Sequence, residues 1–277
     1  MVPEKHIFKY VVLIYMEEYI NNYNNFNESY VYDFKVGYGG IGDYIKYFMV
    51  MLTHCMRNNI KVYHKINNIE IEKYIKLKHD FLYVTAYDIS KMEDVTIKIP
   101  KNYYYNPKQE YRYDISVSEV FKFDDSVKQN VKHILSYQPL CDSEQLLAPT
   151  NYISMHLRLG DKYLETKKRY ISCLGDERRY SEEKMYKFIE DNCDKTIIFF
   201  SDNNSYKLKI KERYNDILIT NSHIGHSSFR NTTGKQILDA VTELYLLTES
   251  QLIYMASESG FSRIASLFNN VKCVTQN

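Results

Sequence analysis

Residues 152–161 read Tyr-Ile-Ser-Met-His-Leu-Arg-Leu-Gly-Asp. A β-forming run, 152–157, ends in a polar cluster, and Gly160 lets the chain turn at once. The same grammar repeats outward from this stretch. Downstream, apolar periodicity predicts helices over 181–192, 204–214, 234–248 and 260–268, alternating with strands over 196–200, 217–220 and 252–256. Upstream, it predicts strands over 30–36, 60–65, 81–85 and 95–99, and a helix over 43–57 with Ile45, Phe48, Met49, Leu52 and Met56 on one face. Residues 101–113 are aperiodic, 116–137 reads as one helix, and two prolines mark 139–149 as a linker. Two βα runs joined by a linker predict an α/β protein of two doubly wound domains, 1–145 and 146–277. In such folds ligands bind outside the carboxyl ends of the strands.

Composition narrows the function classes. The 277 residues are 44% hydrophobic and 26% charged, the balance of an ordinary globular chain. A net charge of +1 gives no reason to expect a nucleic-acid partner. The five cysteines, at 55, 141, 173, 193 and 273, form no CxxC pair and offer no zinc-site spacing. They read as free thiols of a reducing compartment. The one N-terminal apolar run, Val11 to Met16, is too short to span a bilayer. The expectation is a cytoplasmic protein without a membrane span.

Three segments following strands carry candidate chemistry. The first is Gly37-Tyr38-Gly39-Gly40-Ile41-Gly42-Asp43, a GxGxxG pattern between a strand and a helix. A nicotinamide-dinucleotide site needs an acid at the tip of the second strand, and 60–68 has none. A glycine loop near a substrate phosphate or sugar ranks first, a packing turn second, the dinucleotide site third. The second is His156-Leu157-Arg158-Leu159-Gly160-Asp161, where Arg158 at a strand end has the fork geometry for a diphosphate. An ion pair with Asp161 is the competing, purely structural reading. The third is Ser257-Glu258-Ser259-Gly260-Phe261-Ser262-Arg263, whose hydroxyls and opening helix turn suit phosphate oxygens or a plain N-cap. His223-Ile224-Gly225-His226 spells a nucleotidyltransferase signature but lies too late in the chain, in a polar loop. There is no Asp-x-Asp, no GxxxxGK[ST] and no GxSxG.

Taken in order, these motifs resemble the α-1,2-fucosyltransferases and the wider GDP-fucose-dependent fucosyltransferase superfamily. Gly40-Ile41-Gly42-Asp43 is similar to the family's glycine-rich opening, with Asp43 for the usual Asn. His156 to Asp161 matches a central H-x-R-x-G-D, Phe200-Ser201-Asp202 matches F-S-D, and Glu243 to Leu247 is similar to an acidic D-x-Y-L-M helix. Glu258 to Ser266 keeps the Ser and Phe-Ser of the last motif but lacks its two Trp. The resemblance spans about residues 36–270. It implies a GT-B architecture, two Rossmann-like domains facing a cleft, with the donor held by the C-terminal domain and the acceptor on the N-terminal side. It also implies inversion at the sugar without a metal or other cofactor.

On this reading GDP-fucose is the donor and a glycan hydroxyl the acceptor. Arg158 stabilises the leaving diphosphate. Ser257, Ser259, Phe261, Ser262 and the helix they open hold phosphates and nucleoside. His156 and Asp202 are further donor contacts. Asp239 and Glu243, four apart on one helical face, are candidates for the guanine N–H groups, Glu243 being better placed by resemblance. Asp161, Glu165 and Asp43 are candidates for the base. Gly39, Gly40 and Gly42 form the N-terminal loop. Two rival readings stay open: an NAD-dependent oxidoreductase on Gly37, Gly39 and Gly42, and a catalytically inactive sugar-nucleotide-binding protein.

Overall fold

The computed structural model describes residues 16–98, 111–135, 149, 151–165 and 175–276. The chain divides into two compact units, Met1–Lys122 and Phe123–Asn277. In chain order the first unit contains β1 (Ser29–Tyr32), α1 (Ile41–Asn58), β2 (Lys61–Lys65), β3 (Ile75–Leu77), β4 (Tyr83–Val84), β5 (Val95–Lys98) and β6 (Phe121–Phe123), which ends at the division. Its main sheet is parallel in the order β4-β2-β1-β5, and β3 pairs with β6 in a separate ribbon. The apolar face predicted for α1 is buried through Ile45, Phe48, Met49, Leu52 and Met56. Asn59 in the left-handed conformation ends the helix, its N–H turned back to the Cys55 carbonyl. His64 of β2 is fully buried among the rings of Tyr32, Tyr44, Phe48 and Tyr83, whose centroids lie 5.3–5.8 Å away. Burial pushes its pKa down to about 4, so the imidazole is neutral.

The second unit contains α2 (Asp125–Leu135), β7 (Ile153–Leu157), α3 (Glu182–Glu190), β8 (Ile197–Ser201), α4 (Asn204–Arg213), β9 (Leu218–Ile219), α5 (Gly234–Thr248), β10 (Leu252–Met255), α6 (Gly260–Phe268) and β11 (Lys272–Thr275). Its five strands are parallel in the order β11-β10-β7-β8-β9. Numbered from β7 that is 5-4-1-2-3, a doubly wound sheet with the first strand at its centre. Met155, Leu157 and Phe199 of the central strands pack with Met185, Ile189 and Ile210 of the covering helices in one core. Central strands buried on both faces explain why 153–157 and 197–201 read as unbroken β-forming runs.

The structure departs from the sequence reading over 116–137. The single helix expected over 116–137 is instead a short turn of helix (Val117–Val120), β6 and α2. Phe-Lys-Phe alternates as a strand does, and Asp124 then accepts the Ser126 N–H and starts a new helix. The compact units part at 122/123. Asn130 ties α2 to α5 by donating to Asp239 (2.8 Å) and Thr242 (3.0 Å). Residues 136–148, most of that linker, lie outside the described residues. Strands β3 and β11 were not anticipated either. Cys55, Cys193 and Cys273 are free thiols, and Cys141 and Cys173 fall outside the described residues. Among the described residues no helix is long and apolar enough to cross a membrane.

Candidate active site

Strand order reverses between β7 and β10, because β8 and β9 lie on one side of β7 and β10 and β11 on the other. The crevice outside the carboxyl ends of those two strands is where a doubly wound sheet takes its ligand. The chain continues there from β7 into Arg158 to Asp161, and from β10 into Ser257 to Ser259. The Ala256 N–H reaches the His156 carbonyl at 2.9 Å. One residue on, the Ser257 hydroxyl accepts the Arg158 N–H (2.9 Å) and donates to the Arg158 carbonyl (2.7 Å). A side chain therefore extends the backbone ladder past the strands and fixes the root of Arg158.

The turn after Arg158 requires its glycine. Gly160 has φ +106°, and a Cβ there would lie 2.3 Å from the Asp176 carbonyl oxygen. Asp202, at the end of β8, accepts the N–H groups of Leu159 (2.8 Å) and Gly160 (3.1 Å). The Arg158 guanidinium is gripped by Asp161 at 2.5 Å and Asp202 at 2.9 Å, with Asp176 at 3.8 Å. The pair weighed in the sequence, Arg158 with Asp161, is present, and two more carboxylates join it. Burial raises the Asp202 pKa, against the pull of Arg158 and the two backbone N–H groups.

His156 lies beneath this cluster, its Nδ1 2.5 Å from the Ser262 hydroxyl and its ring 5.6 Å from that of Phe261. Burial, helped by the charges of Arg158 and Lys207, lowers its pKa to about 3 and keeps it neutral. Helix α6 starts at Ser259, whose side chain makes no capping hydrogen bond. Its first-turn N–H groups therefore have no hydroxyl cap. Thus His156, Arg158, Asp161, Asp202, Ser257, Phe261 and Ser262, scattered over more than a hundred residues, form one connected set.

A second polar cluster lies on α5. Glu243 Oε1 receives the Lys207 ammonium at 2.8 Å, the Ser222 hydroxyl at 2.5 Å and the Thr220 hydroxyl. Lys207 is 1% exposed. The sequence reading missed it, although 207 and 210 share a helical face and Ile210 is buried. Asp239, one turn before Glu243, is wholly enclosed. It accepts from Asn130 and Lys235 on one oxygen and from the His223 N–H and Nδ1 on the other. Burial alone would raise its pKa, but these hydrogen bonds outweigh burial and hold the carboxyl below the usual range. Asp239 is therefore an internal tie between α2, α5 and the loop before α5, with its acceptor capacity used. His223 of the His-Ile-Gly-His stretch stays largely exposed in that loop.

The remaining candidates lie elsewhere. Glu165 accepts the Ser205 N–H (2.9 Å) and hydroxyl (3.1 Å), at the start of α4. In the first unit, Asp43 folds back on its own loop, accepting the Gly40 N–H at 3.0 Å and pairing with Lys46 at 2.8 Å. A Cβ on Gly39 would lie 2.5 Å from the Asp43 carboxylate, so the glycine makes room for that carboxylate. The N-terminus of α1 is thus occupied by a side-chain anion of the chain itself. Gly42 is in the first turn of α1. Among the described residues no group of three or more His, Cys, Asp or Glu is placed to hold a metal ion.

No protein-family model matches the sequence, and no curated protein matches it. Solved structures do. An Arg-to-Lys variant of Arabidopsis thaliana FUT1 in complex with GDP is similar with TM-score 0.53 and 9% identity, over 94% of this chain and 74% of that one. Fucosyltransferase NodZ from Bradyrhizobium gives TM-score 0.52 and 9% identity, over 87% and 93%. A NodZ α-1,6-fucosyltransferase soaked with GDP-fucose gives TM-score 0.51 and 10% identity, over 87% and 92%. Two parallel, doubly wound α/β units in series are therefore, in this chain, the fold of the GT-B fucosyltransferases.

Proposed function

We propose that this chain is a glycosyltransferase that transfers fucose from GDP-fucose to a glycan hydroxyl, with inversion and without a metal. The observation that carries the reading is the connected set at the β7/β10 crevice: a half-buried arginine fork, serine hydroxyls and an uncapped helix start at one switch point. Two of the similar structures were solved with GDP-fucose or GDP, which names the ligand to try first.

The mechanism follows from charge. Breaking the sugar–phosphate bond leaves a diphosphate carrying one more negative charge, and the arginine fork is the cation poised to meet it. Asp161 and Asp202 orient the guanidinium. The diphosphate takes the place of Asp161 on the fork, and the freed Asp161 carboxylate is then the nearest base for the acceptor hydroxyl. Glu165 reaches that role only by releasing Ser205. The first-turn N–H groups of α6, with Ser259 and Ser262, bind further phosphate oxygens. Neutral His156 supports Ser262, and Phe261 covers it. The free oxygen of Glu243 accepts from the guanine edge. In this reading the first unit, with Gly39, Gly40, Gly42 and Asp43, is the acceptor-side domain.

Calorimetric titration with GDP-fucose, GDP and NAD, followed by a transfer assay in excess EDTA, tests this reading. GDP and GDP-fucose should bind, NAD should not, and turnover should persist in the chelator with the product anomer opposite to that of the donor. Turnover lost in EDTA and restored by manganese would sink the metal-free mechanism. An inactive nucleotide-sugar-binding protein is the second reading, favoured by the three carboxylates around Arg158. Any transfer from GDP-fucose excludes it.

A further inference from the structure

Lys207 lies fully inside the second unit, and its ammonium converges with two hydroxyls on a single oxygen of Glu243. The same ammonium also meets the Thr220 hydroxyl at 2.8 Å, the Thr220 carbonyl at 3.4 Å and the Ser222 hydroxyl at 2.7 Å. No described residue donates to the other oxygen, Oε2, and the Glu243 side chain keeps about a tenth of its surface open. A carboxylate is thus tied by one oxygen and presents the second. A buried carboxyl without a cation takes up a proton, and a protonated carboxyl is a poor acceptor for two neighbouring N–H donors.

We propose that Lys207 is a positioning residue that holds the Glu243 side chain in one orientation, and thereby sets the preference of the site for a base whose edge presents adjacent N–H donors. The inference rests on the GDP-fucose reading, in which that base is guanine. The charged groups around the pair are few. Asp239 lies one turn back on α5 but is consumed by Asn130, Lys235 and His223. His156 of β7 feels the Lys207 charge and is neutral, and Arg158 follows it. Lys207 is the only cation in hydrogen-bond contact with Glu243 among the described residues.

The test is binding of GDP-fucose and of its inosine analogue, which lacks the 2-amino donor, by the full chain between pH 5.5 and 8.5. Both phosphates of GDP-fucose are esterified, so the probe keeps its charge over this range. The unsubstituted protein should bind GDP-fucose, and should bind the inosine analogue at least tenfold more weakly. Lys207→Met should bind more weakly at low pH and recover toward high pH, by tenfold or more, with guanine preference lost at the acid end. If Lys207→Met does not fold, Lys207→Met with Glu243→Gln should, because it strands no carboxylate; its binding should be weak and flat with pH. A Lys207→Met protein with unaltered pH profile and preference overturns the role of Lys207, as does a double variant as unfolded as the single one. Failure of the unsubstituted protein to bind GDP-fucose overturns the donor reading itself, and this inference with it.

Discussion

Arg158 gathers three carboxylates around one guanidinium, and that arrangement fixes what its replacement should do. Lysine keeps the charge but cannot span Asp161 and Asp202 together, nor grip two oxygens of a diphosphate. Arg158→Lys and Arg158→Ala should therefore lose donor turnover to a similar degree, on the order of 10²–10³ in kcat. Loss in kcat beyond that in KM would place the interaction in the transition state. Melting temperature measured beside turnover separates the roles. A well-folded Arg158→Lys protein with near-normal turnover would make the arginine a structural tie only. Truncation to alanine should also destabilise the fold by about 1–3 kcal/mol, since it leaves buried Asp202 with its backbone N–H partners but no cation.

The connection from β7 into Gly160 shows how much an element depends on one missing side chain. Gly160→Ala places a methyl against the Asp176 carbonyl at a positive φ, and should cost about 1–3 kcal/mol, seen as a melting point several degrees lower. Gly175→Ala, with nothing within 4 Å, is the control and should melt like the parent. Elements of this kind were legible in the sequence where local chemistry and burial agree. The bounds of α5 follow from the Thr233 cap and an apolar stripe, and those of α6 from its apolar stripe. The polar cluster after β7 was legible because a doubly wound fold must place it at a strand end. The β3–β6 ribbon was not, since its strands are three residues long and their pairing is non-local. Lys207 and Asn130 were hidden for a related reason. A lone lysine or asparagine on a helix reads as solvent-facing until tertiary packing supplies the carboxylate or hydroxyl that justifies its burial. Asp43 shows the opposite case, a glycine-rich loop whose helix start is filled by its own carboxylate.

Among the described residues each unit carries one buried, neutral histidine: His64 in the first and His156 in the second. Both are depressed in the folded state, to about 4 and about 3. The unfolded chain binds their protons from about pH 6.5 downward while the folded chain does not. Stability is therefore complete above pH 6.5 and falls as the medium is acidified. Each histidine contributes a slope of up to about 1.4 kcal/mol per pH unit. Urea unfolding at pH 7 and pH 5 should show this loss, and His64→Phe should reduce the slope for the first unit. An unchanged slope would show that carboxylates, not His64, dominate acid lability there. The neutrality of His156 also has an optical consequence. The chain has 28 tyrosines and no tryptophan, so an indole introduced as Phe261→Trp would be the sole long-wavelength emitter. It would sit over an imidazole that stays uncharged down to about pH 3, and imidazolium is the form that quenches indole light. The β7/β10 crevice would thus carry a bright, single-position reporter, dimmed when something else stacks upon it.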